Sequence, residues 1–348
     1  MLSTKQAFIS AYLKGEEARL VSSGHLEGIL RSATVQEILA AINGTDVGSY
    51  LEGTSLGDYN DIESALWIYL GDRLQRVMWF RFIPTDVRDT VKAYLVKYDV
   101  FNIKASLRHI ANGKEVKLVP LGTVFSNGML EKLLQAEDLS SISTILKDCK
   151  LGDYAQILGK NEKQISSGEQ GRLIVESKLD NQYYTDLLKV TQKSSDKKLF
   201  KKVLGMDIDL ANLQIVFRSI AGDVAAGVSD YIIYGGHSLS GDFVKELLSL
   251  KLTDIPVRLS TSLYRTMAQE ILTSYERTKS LAIIDETMEK YRYNLFRDAL
   301  APKTMSPSVV LWYLILKEIE IRNIRLAFKA VLDKIPVNEV KGYMVLAS

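Results

Sequence analysis

Apolar positions recur at helical spacing along most of the chain, and the longest such stretch lies near its end. From Leu311 to Ile335 the pattern is apolar almost all round, and Pro336 stops it. The run is too long for a strand and predicts a core helix. On a helix, Trp312, Ile315, Ile319, Leu326 and Ala330 share one side, while Ile321, Ile324, Phe328, Val331 and Ile335 fill much of the rest. Glu318, Arg322, Arg325 and Lys329 form one narrow polar stripe. Glu320 and Asn323 fall outside it. Being three apart, they lie near one another, and buried polar groups need partners.

The same pair occurs twice more. Asp99 precedes Asn102 by three positions, and Asp209 precedes Asn212 by three. An apolar residue follows each asparagine (Ile103, Leu213, Ile324), and a basic residue follows six later: Arg108, Arg218 and Lys329. Asn102 to Asn212 is 110 positions, and Asn212 to Asn323 is 111. This spacing predicts three copies of one unit, at 1–114, 115–226 and 227–348, each closed by a helix marked acid-x-x-Asn-apolar.

The order of elements agrees. Helices are expected over 5–23 and 25–42, with a long one over 61–82 that Pro84 breaks before the helix bearing Asn102. In the second copy short helices over 129–134 and 142–146 precede a long one to Val190, and the helix of Asn212 follows. The third copy opens on a candidate short strand, Asp230–Tyr234, then helices over 243–250 and 281–300. Tyr50, Tyr154 and Tyr264 recur between the short and long helices, and Glu63, Glu176 and Glu286 recur within the long ones. An almost all-helical protein is expected.

Composition narrows the function. With 47% hydrophobic residues a sizeable core is available, and a net charge of +2 offers no field for nucleic acid. A single cysteine, Cys149, excludes an internal disulfide and fits a reducing compartment. The longest wholly apolar run, Val309–Leu316, is far short of a membrane span, and Met1–Lys14 lacks a signal peptide's apolar core, so a soluble protein is expected. No Gly-rich loop ends in Lys-Ser or Lys-Thr, and Gly235–Gly241 reads as a turn. His25, His109 and His237 are too dispersed for zinc, and Ser194-x-x-Lys197 has no companion motif. Lys193, Lys197, Lys198, Lys201 and Lys202 form the densest charge run; it reads as a solvated helix start, with an anionic partner or lipid head groups as the sharper alternative. The repeated acids could in principle be a metal or catalytic constellation. Each copy, however, holds one carboxylate, and the basic residue at plus six is about 180° round a helix from the acid, out of its reach. Buried hydrogen bonds to neighbouring elements are the favoured role. No cofactor is expected.

Lys97-Tyr98-Asp99-Val100-Phe101-Asn102-Ile103-Lys104 resembles a stretch of the archaeal (A-type) ATP synthase C-subunit family, the counterpart of the d-subunit family of vacuolar ATPases. Leu316–Arg325, with its Arg322-Asn323-Ile324, looks like that family's closing helix, and Leu179–Tyr184 resembles its second long helix. The resemblance covers essentially the whole chain. It implies three similar helical bundles about a pseudo-threefold axis, funnel-shaped, and a non-catalytic central-stalk linker of a rotary ATPase. Such a linker joins central-stalk subunits of the soluble head to the proteolipid rotor ring and transmits torque. It is cytoplasmic and peripheral, and meets the membrane only through the ring. The competing expectation is a helical-repeat adaptor unrelated to rotary ATPases.

Overall fold

Residues 4–80, 83–113, 115–223 and 227–345 are described by a computed structural model. Among them the chain is helical and contains no strand. The first part holds α1 (Thr4–Glu17), α2 (Ser23–Arg31), α3 (Val35–Ala41), α4 (Asp46–Leu51), α5 (Tyr59–Trp79) and α6 (Thr85–Asn112). The middle holds α7 (Thr123–Ser126), α8 (Leu130–Leu134), α9 (Leu139–Asp148), α10 (Gly152–Lys160), α11 (Glu162–Ser166), α12 (Glu169–Thr191) and α13 (Lys197–Ala221). The last part holds α14 (Gly241–Leu248), α15 (Ile255–Arg258), α16 (Arg265–Thr278), α17 (Ala282–Leu300) and α18 (Val309–Leu332). The expected unit ends Lys114, Ala226 and Ser348 fall outside the described residues, as do Arg81 and Phe82 at the expected end of the long helix.

Local chemistry sets the boundaries. The side chains of Thr34, Thr45, Asp138 and Ser240 accept backbone N–H bonds at the starts of α3, α4, α9 and α14. Thr34 thereby splits the helix expected over 25–42 into two. The candidate strand at Asp230–Tyr234 is instead a 3₁₀ turn, Val228–Tyr231, followed by an extended segment. A similar 3₁₀ turn, Val337–Tyr343, follows α18.

By internal contacts the chain forms two compact units, Met1–Arg88 with Phe296–Ser348, and Asp89–Leu295. The first is built on α18. Every residue from Val309 to Lys317 is buried, as an all-round apolar helix requires, and α5, α1 and α3 pack against it. The expected wetted edge is drier than its composition suggests: Glu318, Arg322 and Arg325 are half-buried and only Lys329 is exposed. The second unit packs α12 against α13 and α9 against α10. Leu213, Val216 and Phe217 of α13 share a core there with Val244, Ile255 and Met267.

Candidate functional site: acid and asparagine clamps

The three asparagines do the same thing in three places. Asn102 donates its amide N–H to the carbonyl of Val119 (2.9 Å) and accepts from the same residue's N–H (2.8 Å). Asn212 holds Ile233 in the same way, at 2.8 and 2.9 Å, and Asn323 holds Val345, at 2.8 and 3.0 Å. All three asparagines and all three captured residues are buried. The captured backbone lies outside any helix, so its donor and acceptor have no ladder of their own. A carboxamide supplies both halves of the missing pair, which a carboxylate cannot.

The acids grip a second backbone point. Asp99 accepts from the N–H groups of Thr123 (2.7 Å) and Val124 (2.8 Å), at the start of α7. Asp209 accepts from Ser238 (2.7 Å) and Leu239 (3.2 Å), just ahead of α14, and from the Tyr264 hydroxyl (2.8 Å). Glu320 accepts from Val21 (2.8 Å), just ahead of α2, so the last helix holds a segment near the start of the chain. Burial pushes the Asp99 carboxyl up to about 6 against the pull of its two backbone donors. Burial also raises Asp209, against its own donors.

Glycines let the backbone approach the two aspartates closely. A Cβ on Gly122 would come 2.6 Å from Asp99 Oδ1, and one on Gly236 would overlap Asp209 Oδ1. At these two points the backbone comes right up to a short acid. The segment read as a glycine-rich turn, Gly235–Gly241, is thus an anion cradle whose anion is the protein's own Asp209. No glycine adjoins Val21 in the chain, and there the acid that reaches the backbone is the longer glutamate, Glu320.

The polar edge of each clamp helix reaches a long helix. Arg108 makes a two-pronged bond to Glu176 (2.9 and 2.5 Å), and Lys104 bonds Asp180 (2.5 Å). Arg218 and Gln214 share Asp285 (2.5 and 2.7 Å). Arg325 bonds Glu63, while Lys329 lies 5.3 Å from the Tyr59 ring centroid and bonds Asp333 (3.0 Å). So two of the landmark glutamates, Glu63 and Glu176, are engaged. The third, Glu286, binds Lys290 of its own helix; Asp285, one position earlier, takes the partner. The landmark tyrosines bond acids: Tyr50 to Asp72, Tyr154 to Asp186 and Tyr264 to Asp209.

Sequence reasoning missed the buried lysine of the third clamp. Lys317 is fully buried and donates to Glu320 (2.9 Å) and to the Tyr69 hydroxyl (2.6 Å), and Tyr69 donates to Glu320 (3.0 Å). Its place three residues before an acid on the apolar side was the available signal. Sequence also missed Asn181 of α12. It accepts from the N–H of Tyr234 (2.8 Å) and donates to the carbonyl of Ile232 (3.0 Å), on either side of the residue held by Asn212. The five lysines of the basic run are all exposed. Ser194 is buried and accepts from the Asp196 N–H, and Cys149 is buried. Among the described residues no three His, Cys, Asp or Glu side chains could hold a metal, and no helix is long and apolar enough to cross a membrane.

Fold and clamps define a class: a helical protein whose buried acids and amides brace its own backbone. Sequence comparison narrows it. The family model described as ATP synthase (C/AC39) subunit matches residues 9–343, and the chain belongs to that family. It is 23% identical to the A-type ATP synthase C subunit of Methanocaldococcus jannaschii, over 97% of this chain and 86% of that protein. Identity to the same-named protein of Methanosphaera stadtmanae is 26%, over 91% and 84%, and to that of Pyrococcus horikoshii 23%, over 97% and 90%.

Proposed function

We propose that this chain is the central-stalk linker of a rotary A-type ATP synthase. It joins the central-stalk subunits of the soluble head to the proteolipid rotor ring, and carries torque between them without catalysing a reaction. It works on the cytoplasmic side, peripheral to the membrane, which it meets through the ring. The observation that carries this reading is the family match, which runs through nearly the whole chain and not through one module. The clamps support it, because the three repeated carboxylates grip backbone and protein side chains, as bracing does.

In this reading 1–114, 115–226 and 227–348 are three similar helical units about a pseudo-threefold axis, forming a funnel. Asp99, Asn102 and Arg108, then Asp209, Asn212 and Arg218, then Glu320, Asn323 and Lys329 mark equivalent places. The hold of Glu320 on Val21 favours closure, since the third copy then grips the first as each earlier copy grips the next.

The test is reconstitution in vesicles of the complex with and without this chain. A linker adds nothing to the chemical barrier, so the head alone should still hydrolyse ATP while ATP-driven ion transport is lost. Full transport without the chain would refute the linker role, and ATP turnover by the isolated chain would refute its being non-catalytic.

A further inference from the structure

In the Asp89–Leu295 unit, α12 and α13 pack against each other and a short turn, 192–196, joins them. Residues 189–202, which span this tip, hold six lysines, one acid and no arginine. Lys189 lies in the last turn of α12, Lys193 in the connecting turn, and Lys197, Lys198, Lys201 and Lys202 in the first two turns of α13. On α13 the four spread over an arc of about 140°. All six are exposed, and among the described residues no hydrogen bond or ion pair engages them. The acid, Asp196, is half-buried. Asp138 and Ser240 cap the starts of α9 and α14, but α13 has no side-chain cap bond and no acid in its first turn. The positive end of its dipole therefore adds to the lysine charge. Such a start costs stability, and a local rule broken without compensation inside the fold points to a partner outside it.

We propose that this tip docks directly on a bilayer surface rich in anionic phospholipid. The inference does not depend on the linker reading; it adds a direct contact to the one made there through the ring. An acidic protein partner fits less well. Protein interfaces are built round apolar and aromatic anchors, favour arginine and are poor in lysine. At this tip every cation is a lysine, and among the described residues no large apolar side chain between Leu173 and Tyr234 is exposed. A single phosphate fits less well too, since the ammonium groups are spread round the tip over two helix ends and a turn. A plane of many anionic headgroups engages them together, each lysine adding to the attraction. Fluid headgroups need no fixed hydrogen-bond geometry, which suits point charges on flexible stems.

The experiment measures binding of the full chain to sedimented vesicles of equal parts phosphatidylglycerol and phosphatidylcholine, and to vesicles of phosphatidylcholine alone. The native chain should bind the anionic vesicles at least about tenfold more tightly, and added salt should release it as the charges are screened. Replacing Lys193, Lys197, Lys198, Lys201 and Lys202 together by glutamine should abolish the preference. That variant should melt no lower than the native chain, because it removes like charge from a helix start. Replacing Lys132, Lys147, Lys160, Lys163 and Lys251, exposed lysines elsewhere in the same unit, removes equal charge and should leave most of the preference. Three binding results would overturn the proposal. One is no preference of the native chain for anionic vesicles. Another is an equal loss in both variants, which would make net charge the cause. The third is tighter binding to soluble poly-glutamate than to the vesicles at equal charge concentration, which would point to an acidic protein instead. A tip variant that melts lower would show that the lysines serve the fold, and would overturn it too.

Discussion

At the scale of single residues, an amide and a carboxylate three positions apart do different work. The amide completes a backbone pair and the carboxylate collects N–H donors. Exchanging one for the other is therefore not conservative. Asn212→Asp should lose the donor to the Ile233 carbonyl and set two acceptors against each other, at a cost of about 1–3 kcal/mol. Chemical denaturation of the two chains measures this, and an unchanged midpoint would contradict the clamp. Asp99 adds a pH signature. Its carboxyl is raised in the folded state to about 6, above its ordinary value, so the folded chain binds the proton more tightly. That contribution is fully present below the ordinary value near 4 and is lost as pH rises through about 6. Asp99→Asn should remove it, changing the slope of stability against pH between 4 and 6 by up to ~1.4 kcal/mol per unit. The pairs themselves were legible, because polar residues on an apolar helix side must be bonded. Their partners were not, because backbone groups of Val119, Ile233 and Val345 leave no mark in side-chain pattern.

At the scale of elements, periodicity revealed the long helices, since each buries a face or its whole circumference. It misread Asp230–Tyr234 for a physical reason. The segment after the 3₁₀ turn is extended, as its apolar residues suggest, but its hydrogen bonds go to the amides of Asn181 and Asn212 and not to a neighbouring strand. Lys317 escaped notice because lysine reads as surface, whereas here α18 is buried all round and the charge is matched inside. That match is testable. Glu320→Ala would strand a buried ammonium and should cost about 3–5 kcal/mol, the usual cost of breaking a buried pair. Adding Lys317→Met should recover part of the loss, giving a coupling of about 1 kcal/mol or more in a double-mutant cycle. Strict additivity would mean that the two side chains do not depend on each other. The glycine cradles make a parallel case. Gly236→Ala should lower Tm, because its Cβ overlaps the carboxylate of Asp209, whereas alanine at Gly152, where no atom lies within 4 Å, should leave Tm nearly unchanged.

At the scale of the whole molecule, the two compact units differ in how the chain supplies them. Asp89–Leu295 is continuous and holds its own core, with Phe217 and Met267 fully buried. The other unit is assembled from both ends, and α18, its most buried element, comes from the far end. Large apolar side chains contribute about 1.5–3 kcal/mol each when fully buried. Without α18 the unit would lose the burial of the whole run Val309–Leu316, a loss of the same order as the ~5–15 kcal/mol by which a domain is stable. Residues 1–83 cannot replace that helix. Val21 would also lose the acceptor that Glu320 supplies, and Tyr69 would lose both of its partners in the buried triad. A fragment of residues 84–301, which keeps α6 and α17 whole, should show helical circular dichroism and a cooperative melt. A fragment of residues 1–83 should be largely unfolded alone and gain helix only when mixed with residues 302–348. During synthesis, the first unit then waits for the chain's end while the second can fold earlier. Cooperative melting of residues 1–83 alone would refute this, and would mean that the apolar faces of α1 and α5 suffice without α18.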